Sequence, residues 1–322
     1  MTTPFASRGA LTFAGAVLAG CLSATILTVA LNHAESVIFF LAYLTAIPLF
    51  LAGFSAGPLA GCLATLSGLA GLLLTAPSNY AVIYSLLFGF PAALLIVLAL
   101  RHRMGADGKS YWYPEGNLLT ATSLYPCALF LILNFMAVGH DGGLLGLTRE
   151  FVNDAATALK ARIPAEAAGD FAATMDFIIR FLPAITGAAW MVTMLLSVIV
   201  GQTVLQRQNW HLRSGFTMHE LQLPDWLIYA VAVTGLVGVV APPPYNYIGL
   251  NMSLVLGFPF LILGLAIVHS WAETKKATTL ILVVFYLAMT LFRSILVMTA
   301  LLGLIDHWVH FRQRFANQPK ST

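Results

Sequence analysis

The chain has 322 residues, of which 59% are hydrophobic and only 9% are charged. Soluble domains carry roughly 25% charged residues, so this chain has too few polar side chains to cover a water-exposed surface, and we predict an integral membrane protein. The formal net charge of +3 is too small and too scattered to form a nucleic-acid-binding face, so nucleic acid is not an expected partner.

Long apolar runs predict the architecture. A bilayer core of about 30 Å needs about 20 apolar residues per helix, and a helix satisfies its own backbone groups in lipid. We therefore predict an all-α polytopic transmembrane bundle of eight or nine segments, with residues 1–322 forming a single transmembrane domain. The runs lie near residues 10–31, 36–53, 56–76, 79–100, 118–138, 181–204, 226–241, 248–270 and 278–304.

Basic residues in the short loops predict the orientation. They follow the fourth, sixth and eighth runs, as Arg101 and Arg103, Arg207 and Arg213, and Lys275 and Lys276. The positive-inside rule places these loops and the N-terminus in the cytoplasm. We expect a multi-pass protein of the bacterial inner membrane, in contact with the lipid bilayer.

The C-terminal end conflicts with this orientation. A single crossing by residues 278–304 would place the polar tail, residues 305–322, outside the cell although it carries Arg312, Arg314 and Lys320. Either the last run bends back, or the run at 226–241 does not cross fully. We favour a broken or tilted final segment.

Arg293 is the charge that lies well inside an apolar run. Charges within a membrane usually face a cavity or a partner, so Arg293 is a candidate functional residue. If the helix breaks nearby, the side chain reaches an interface and serves only as an anchor.

Small residues predict close packing in the second and third runs. Gly53, Gly57 and Gly61 recur at every fourth position, a spacing that lets helix backbones approach closely. We predict that all three lie against a neighbouring helix and that the two runs form a tight hairpin at Gly57-Pro58.

Residues 140–180 form a polar insertion on the predicted extracytoplasmic side. Two amphipathic patterns occur, the first formed by Leu147, Phe151, Ala155, Leu159 and Ile163, and the second, after Pro164, by Phe171, Met175, Ile178 and Leu182. The insertion is either a packed cap on the bundle or a lid over a site.

Polar residues near this insertion are candidate ligand contacts. They end the fifth run or join the seventh to the eighth, on the same predicted side: Asn134, His140, Asp141, Tyr245, Asn246, Tyr247 and Asn251. Asparagine amides and tyrosine hydroxyls would orient a small polar molecule, and Pro242–Pro244 would hold the loop extended. The alternative is that these side chains only satisfy interfacial backbone groups.

The loop after the sixth run is a candidate docking surface. It combines Arg207, Trp210 and Arg213 at the predicted cytoplasmic boundary. These residue types also anchor proteins in the headgroup layer, so the choice lies between a partner surface and a lipid anchor.

The sequence gives no sign of catalysis or of a cofactor. It contains no GxSxG, HExxH or Walker motif. The three cysteines show no metal-ligand spacing, and neither do His33 and Glu35 with His140 and Asp141. We expect a protein that is not an enzyme and that binds no metal.

Three stretches carry a family resemblance: the hairpin from Pro48 to Gly61, the block from Gln206 to Arg213 with Leu223-Pro224, and Gly303-Leu304-Ile305-Asp306 with Arg312. On these motifs the chain resembles the YybS-like family of bacterial polytopic membrane proteins, a domain of unknown function. That family is distantly similar to the S components of energy-coupling-factor transporters, which are helical bundles that take their ligand from the extracytoplasmic side.

This likeness implies a function. S components dock their coupling subunit through an Ala-x-x-x-Ala motif on the first helix, and Ala10 with Ala14 has that spacing. The chain departs from S components in having more than six apolar runs and a 40-residue outer insertion. We expect a non-catalytic component that binds a small polar molecule and takes part in transport, or alternatively a scaffold that binds other membrane or cytoplasmic proteins.

Overall fold

The computed structural model describes residues 4–34, 36–106, 110–160, 168–213 and 221–309. The helices of this part are α1 Pro4–Asn32, α2 Ile47–Ala56, α3 Pro58–Thr75, α4 Ser78–Tyr84, α5 Phe90–Ala99, α6 Glu115–Met136, α7 Gly143–Lys160, α8 Ala168–Arg207, α9 Trp226–Val240, α10 Tyr245–Ala272, α11 Thr278–Leu291 and α12 Arg293–Val309. A 3-10 helix, Val37–Leu44, precedes α2, and a wide π turn, Ser85–Gly89, joins α4 to α5. Strands β1 His102–Met104 and β2 Ser110–Trp112 pair as an antiparallel hairpin.

The predicted all-α fold class is confirmed. In the described residues, seven helical stretches are long and apolar enough to cross a bilayer, and the bent pair α11 and α12 gives an eighth when it is counted as one span. Helix α9 has 15 residues, which is about 22 Å and short of the roughly 30 Å of a bilayer core. Helices α11 and α12 meet at 118°. The final run is therefore broken, as predicted, and the run at 226–241 is short as well.

The chain contacts define two compact units. The first contains residues 1–118 and 190–217, and the second contains residues 119–189 and 218–322. Helices α6 and α8 each begin in one unit and end in the other, so every unit is built from two separate stretches of chain. Each unit is described by itself below.

In the first unit, the glycine hairpin packs against α5. A Cβ atom on Gly53 would lie 2.5 Å from Ile96 Cγ2, and one on Gly61 would lie 2.9 Å from Ile96 Cδ1. Gly57 has φ 102° between α2 and α3, and a Cβ there would meet no atom within 4 Å. The packing prediction is confirmed for Gly53 and Gly61 but wrong for Gly57, which makes the turn because glycine tolerates positive φ.

Side-chain donors satisfy the π turn between α4 and α5. Trp190 Nε1 donates to Leu87 O at 2.7 Å, and Thr65 Oγ1 donates to Gly89 O at 3.4 Å. A π turn disturbs the regular pairing of backbone groups. Side chains of α8 and α3 therefore supply hydrogen-bond donors to the carbonyl oxygens of this turn.

Hydrogen bonds fix which helix ends share a side of the first unit. Tyr80 Oη donates to Asn32 Oδ1 at 2.8 Å, which joins the end of α1 to the start of α4. Leu212 N donates to Phe54 O at 3.1 Å, and Arg213 Nη1 donates to Ala99 O at 2.8 Å. The ends of α2, α5 and α8 therefore lie together, at the opposite end from the α1–α4 contact.

In the second unit, α7 buries a different face from the predicted one. Thr148, Val152 and Ala156 are buried, whereas Leu147 and Phe151 are 37% and 67% exposed. The predicted face is wrong by one residue because Thr148 Oγ1 donates to Leu144 O at 2.8 Å, and a hydroxyl satisfied in this way can be buried. Ile163 and Pro164 lie outside the described residues.

The second amphipathic pattern of the insertion is the start of α8. Phe171, Met175, Ile178 and Leu182 are all half-buried along one side of that helix. No break separates them from the sixth apolar run, because α8 continues through Pro183 to Arg207.

Candidate functional site

Pro183 interrupts the hydrogen bonding of α8. Proline has no N–H, so Ile179 O loses its regular partner four residues later. The next pair of the ladder, Arg180 O and Ala184 N, is bridged by a side chain of α10. Asn251 Oδ1 accepts from Ala184 N at 3.0 Å, and Asn251 Nδ2 donates to Arg180 O at 3.1 Å. The side-chain amide of Asn251 thus stands in for the main-chain hydrogen bond between Ala184 N and Arg180 O.

Tyr247, one turn before Asn251, completes this repair. Its hydroxyl lies 3.3 Å from Ile179 O, the carbonyl that Pro183 leaves without a donor. The same hydroxyl lies 3.3 Å from Thr148 Oγ1. Asn251 is fully buried and Tyr247 nearly so. These two predicted ligand residues therefore make the contacts of the alternative interpretation, in which they satisfy backbone groups.

The other predicted ligand residues lie elsewhere in the second unit. Asn134 Nδ2 donates to Phe130 O of its own helix at 2.8 Å. His140 lies with Nε2 3.4 Å from Glu150 Oε2 and with Nδ1 3.1 Å from the Asp141 carbonyl. Tyr245 is exposed and Asn246 is half-buried. In the described structure no hydrogen bond or ring contact joins Asn134 or His140 to residues 245–251.

The metal-ligand types do not come together in the described part of the chain. There, no group of three or more His, Cys, Asp or Glu side chains is placed to hold a metal ion. His33 is exposed at the end of α1. Glu35 lies outside the described residues.

Arg213 is a buried clamp rather than a surface cation. It is 4% exposed, Nη1 donates to Ala99 O at the end of α5, and Nη2 lies 3.6 Å from Glu115 Oε1 at the start of α6. The guanidinium carbon lies 5.9 Å from the centre of the Trp112 ring. Burial lowers the pKa of Arg213 from its ordinary value, and Glu115 partly opposes this shift. The expectation that Arg213 belongs to an exposed docking surface does not fit its burial.

Exposed basic and aromatic side chains lie on the two segments that the clamp joins, which are the β1–β2 hairpin and the end of α8 with its following loop. We call these side chains together the hairpin face, and its members are Arg101, Arg103, Tyr111, Arg207 and Trp210, all exposed. Arg103 lies 6.0 Å from the centre of the Tyr111 ring. Trp210 is 67% exposed because the chain turns back at Asn209, with φ 55°, and Trp210 N donates to Leu205 O at 2.9 Å.

Sequence reasoning assigned Arg101 and Arg103 only to orientation. Arg101 and Arg103, separated from Tyr111 and Trp112 by a short stretch with two glycines, were an available signal for a surface hairpin. The sequence did not show that this hairpin adjoins the loop after α8, because that contact joins residues about 100 positions apart.

Two further predicted residues lie on described helices. Ala14 is exposed on α1, and Ala10 lies one turn earlier on the same helix, with its side chain outside the described part. Arg293 begins α12 directly after the break at Phe292, and its side chain is likewise outside the described part. The charge therefore stands at a helix start and not inside an unbroken run.

Comparison with known proteins gives a family. A family model described as "Predicted membrane protein (DUF2232)" matches residues 22–307. A search of curated proteins finds no match, and neither does a search of solved structures. With its apolar helices, the match shows a multi-pass protein of the lipid bilayer.

Proposed function

We propose that this protein, which belongs to the DUF2232 family of predicted membrane proteins, is a non-catalytic scaffold that docks another protein on its hairpin face. In this proposal it lies in the bacterial inner membrane, with the N-terminus and the hairpin face in the cytoplasm. The positive-inside rule supports that orientation, because Arg101, Arg103 and Arg207 all lie at one end of the first unit.

The Arg213 clamp is the observation that carries the proposal. A buried cation bonded to the end of α5 and paired with the start of α6 holds the hairpin and the loop after α8 in one arrangement. Surfaces fixed before binding lose less conformational entropy when a partner arrives. The clamp therefore serves to present the exposed side chains around it in a constant geometry.

The exposed side chains define the chemistry of the partner. Arginine and large aromatic residues dominate the energetic centres of protein interfaces. Three exposed arginines with Tyr111 and Trp210 suit an acidic protein segment that also carries an apolar side chain. Lipid headgroups are the competing occupant, since arginine and tryptophan also anchor helices at the bilayer surface.

A small-molecule uptake component is the second candidate function. His140 and Glu150 form an accessible pair, with side chains 32% and 64% exposed, and Tyr245 is exposed in the same unit. The His140–Glu150 pair and the Tyr245 hydroxyl take no part in the repair of α8, although His140 Nδ1 also contacts the Asp141 carbonyl. In this candidate, which follows the likeness to S components, Ala10 and Ala14 of α1 contact a membrane coupling subunit.

Photo-crosslinking in cells tests the docking function. A photoreactive phenylalanine analogue replaces Trp210, and in a matched control it replaces Tyr229, which is 70% exposed on the apolar helix α9. We expect a discrete protein adduct at position 210 and none at position 229. The double variant Arg101→Glu/Arg103→Glu should lose that adduct, whereas Lys275→Glu should keep it.

The competing outcomes are distinct. An adduct with lipid alone would make the hairpin face a headgroup anchor. A protein adduct that persists in the variant Arg101→Glu/Arg103→Glu, where both charges are reversed, would contradict the proposal that the partner segment is acidic.

A further inference from the structure

Three residues with hydroxyl side chains lie on contacting segments in the apolar part of the first unit. Ser23 of α1, Thr45 before α2 and Tyr84 of α4 are each 0% exposed. Each lies at least six residues from either end of its membrane-spanning stretch, or about 9 Å along a helix. The cluster therefore lies well below the headgroup layer on both sides.

The hydrogen bonding of this cluster is incomplete. Ser23 Oγ donates to Thr45 O at 2.6 Å. Within the described residues, Thr45 Oγ1 and Tyr84 Oη have no hydrogen-bond partner, although the Tyr84 hydroxyl lies beside Ser23. Buried polar groups are nearly always paired, and two unpaired hydroxyls from different spans call for a specific reason.

Main-chain oxygens lie at the same place. The Tyr84 hydroxyl packs against Gly68, and Gly20 O lies 2.8 Å from the position that a Cβ on Gly68 would take. Glycine at position 68 is what permits this approach. Gly20 O and Thr45 O thus join the hydroxyl oxygens around one small region.

Thr45 lies where a 3-10 helix passes into an α-helix within one span. Thr45 and Ala46 keep right-handed helical dihedrals, but the main-chain hydrogen bonding changes there, from Thr45 N to Ala42 O before the junction to Phe50 N to Ala46 O after it. Backbone that departs from a regular α-helix at membrane depth is tolerated where it is covered by protein or serves a site.

We propose that Ser23, Thr45 and Tyr84, with the carbonyl oxygens of Gly20 and Thr45, form a binding site for a sodium ion. Neutral hydroxyl and carbonyl oxygens are hard ligands that suit a small monovalent cation. The three spans contain no Asp or Glu, and a divalent cation would need carboxylates. None of the three side chains exchanges a proton near neutral pH. The site is independent of the docking function.

Thermal unfolding of the purified full-length protein in detergent tests the site. Tm is measured in sodium, potassium and choline chloride at constant ionic strength. We expect sodium to raise Tm in a saturable way, because a ligand that binds the folded state stabilises it, and potassium to act at roughly tenfold higher concentration or not at all.

Variants connect this effect to the cluster. Thr45→Val and Tyr84→Phe should each abolish the sodium-specific rise in Tm. Their Tm in choline should be equal to that of the wild type or higher, since each removes an unpaired buried hydroxyl. Thr28→Val is the matched control, because the Thr28 hydroxyl donates only to Ala24 O in α1, and it should keep the sodium response.

Equilibrium binding of radioactive sodium to the wild type gives a second readout that does not depend on folding of a variant. An equal response to sodium and potassium, or no sodium binding, would overturn the proposal and leave an internal water as the occupant. A sodium response that persists in both Thr45→Val and Tyr84→Phe would place the ion elsewhere.

Discussion

At the scale of single residues, polar side chains in the apolar segments largely serve the backbone. Asn251 and Tyr247 looked like ligand contacts because amides and hydroxyls inside a membrane protein are often functional. Their actual partners belong to the break that Pro183 makes in α8, 67 or more positions away along the chain. The sequence shows a proline in a span, but it does not show which helix packs against the break.

The repair of α8 predicts a coupling between Asn251 and Pro183. Asn251→Leu removes the side-chain partner of Arg180 O and of the buried Ala184 N, at a cost of about 1–3 kcal/mol for a buried group left unpaired. We expect a clear fall in the Tm of Asn251→Leu in detergent. Restoring the main-chain ladder by Pro183→Ala in the same chain should recover part of that loss.

Asn134→Leu is the matched control, since its amide bonds only within its own helix, and its effect should be small. If Asn251→Leu lowers Tm by the same amount in the wild type and in Pro183→Ala, Asn251 does not repair the break that the proline makes.

Arg207 at the end of α8 and Arg213 in the loop that follows should behave differently. Arg213→Ala removes a buried ion pair and the bond to Ala99 O, which should destabilise the fold by about 3 kcal/mol because Glu115 is left without its cation. Arg207→Ala removes an exposed side chain and should change the free energy of unfolding by less than about 0.5 kcal/mol. Chemical denaturation of both variants measures this difference, and equal effects would mean that Arg213 is not a clamp.

At the scale of elements, the glycine spacing predicted where helices approach, and Gly57-Pro58 predicted where the chain turns, but the spacing alone did not separate the two roles. Gly53 and Gly61 contact Ile96, whereas Gly57 has the positive φ of the turn. The three glycines look identical in sequence because close packing and a left-handed backbone both favour glycine. Pro58 directly after Gly57 was the signal for the turn.

This distinction predicts which glycine variant can be rescued. Gly53→Ala places a methyl group against Ile96, so the double variant Gly53→Ala/Ile96→Ala should be less destabilised than the sum of its single variants, by about 1 kcal/mol. Gly57→Ala is strained by its φ of 102°, and Ile96→Ala should not relieve it. Strict additivity for Gly53 and Ile96, measured by thermal unfolding, would contradict the contact.

Helix α7 shows the limit of apolar periodicity. The stripe of Leu147, Phe151 and Ala155 is the more hydrophobic one, yet the adjacent stripe with Thr148 is the buried one. Ala156→Leu should therefore destabilise the second unit by about 1–3 kcal/mol through overpacking. Ala155→Leu, on the exposed side, should leave the free energy of unfolding nearly unchanged. A larger destabilisation by Ala155→Leu than by Ala156→Leu would mean that the face predicted from the sequence is the buried one.

At the scale of the whole molecule, length and hydropathy predicted the apolar segments, because each helix must match the bilayer by itself. The two compact units and the shortness of α9 were not predictable, since they depend on contacts between distant segments and on where helices end. The hairpin face is of the same kind. Its residues were readable individually, but their common position results from Leu212, Arg213 and their partners on α2 and α5.

The central claim is that the hairpin face meets the cytoplasm, where a partner protein can reach it. Single cysteines at Ser110 on β2 and at His33 after α1, in a chain whose free cysteines Cys21, Cys62 and Cys127 are replaced by serine, report the two ends of the first unit. A membrane-impermeant maleimide should label Ser110→Cys in inverted membrane vesicles but not in intact spheroplasts, and His33→Cys in spheroplasts only. Labelling of Ser110→Cys in spheroplasts would place the hairpin face outside the cell and contradict the account.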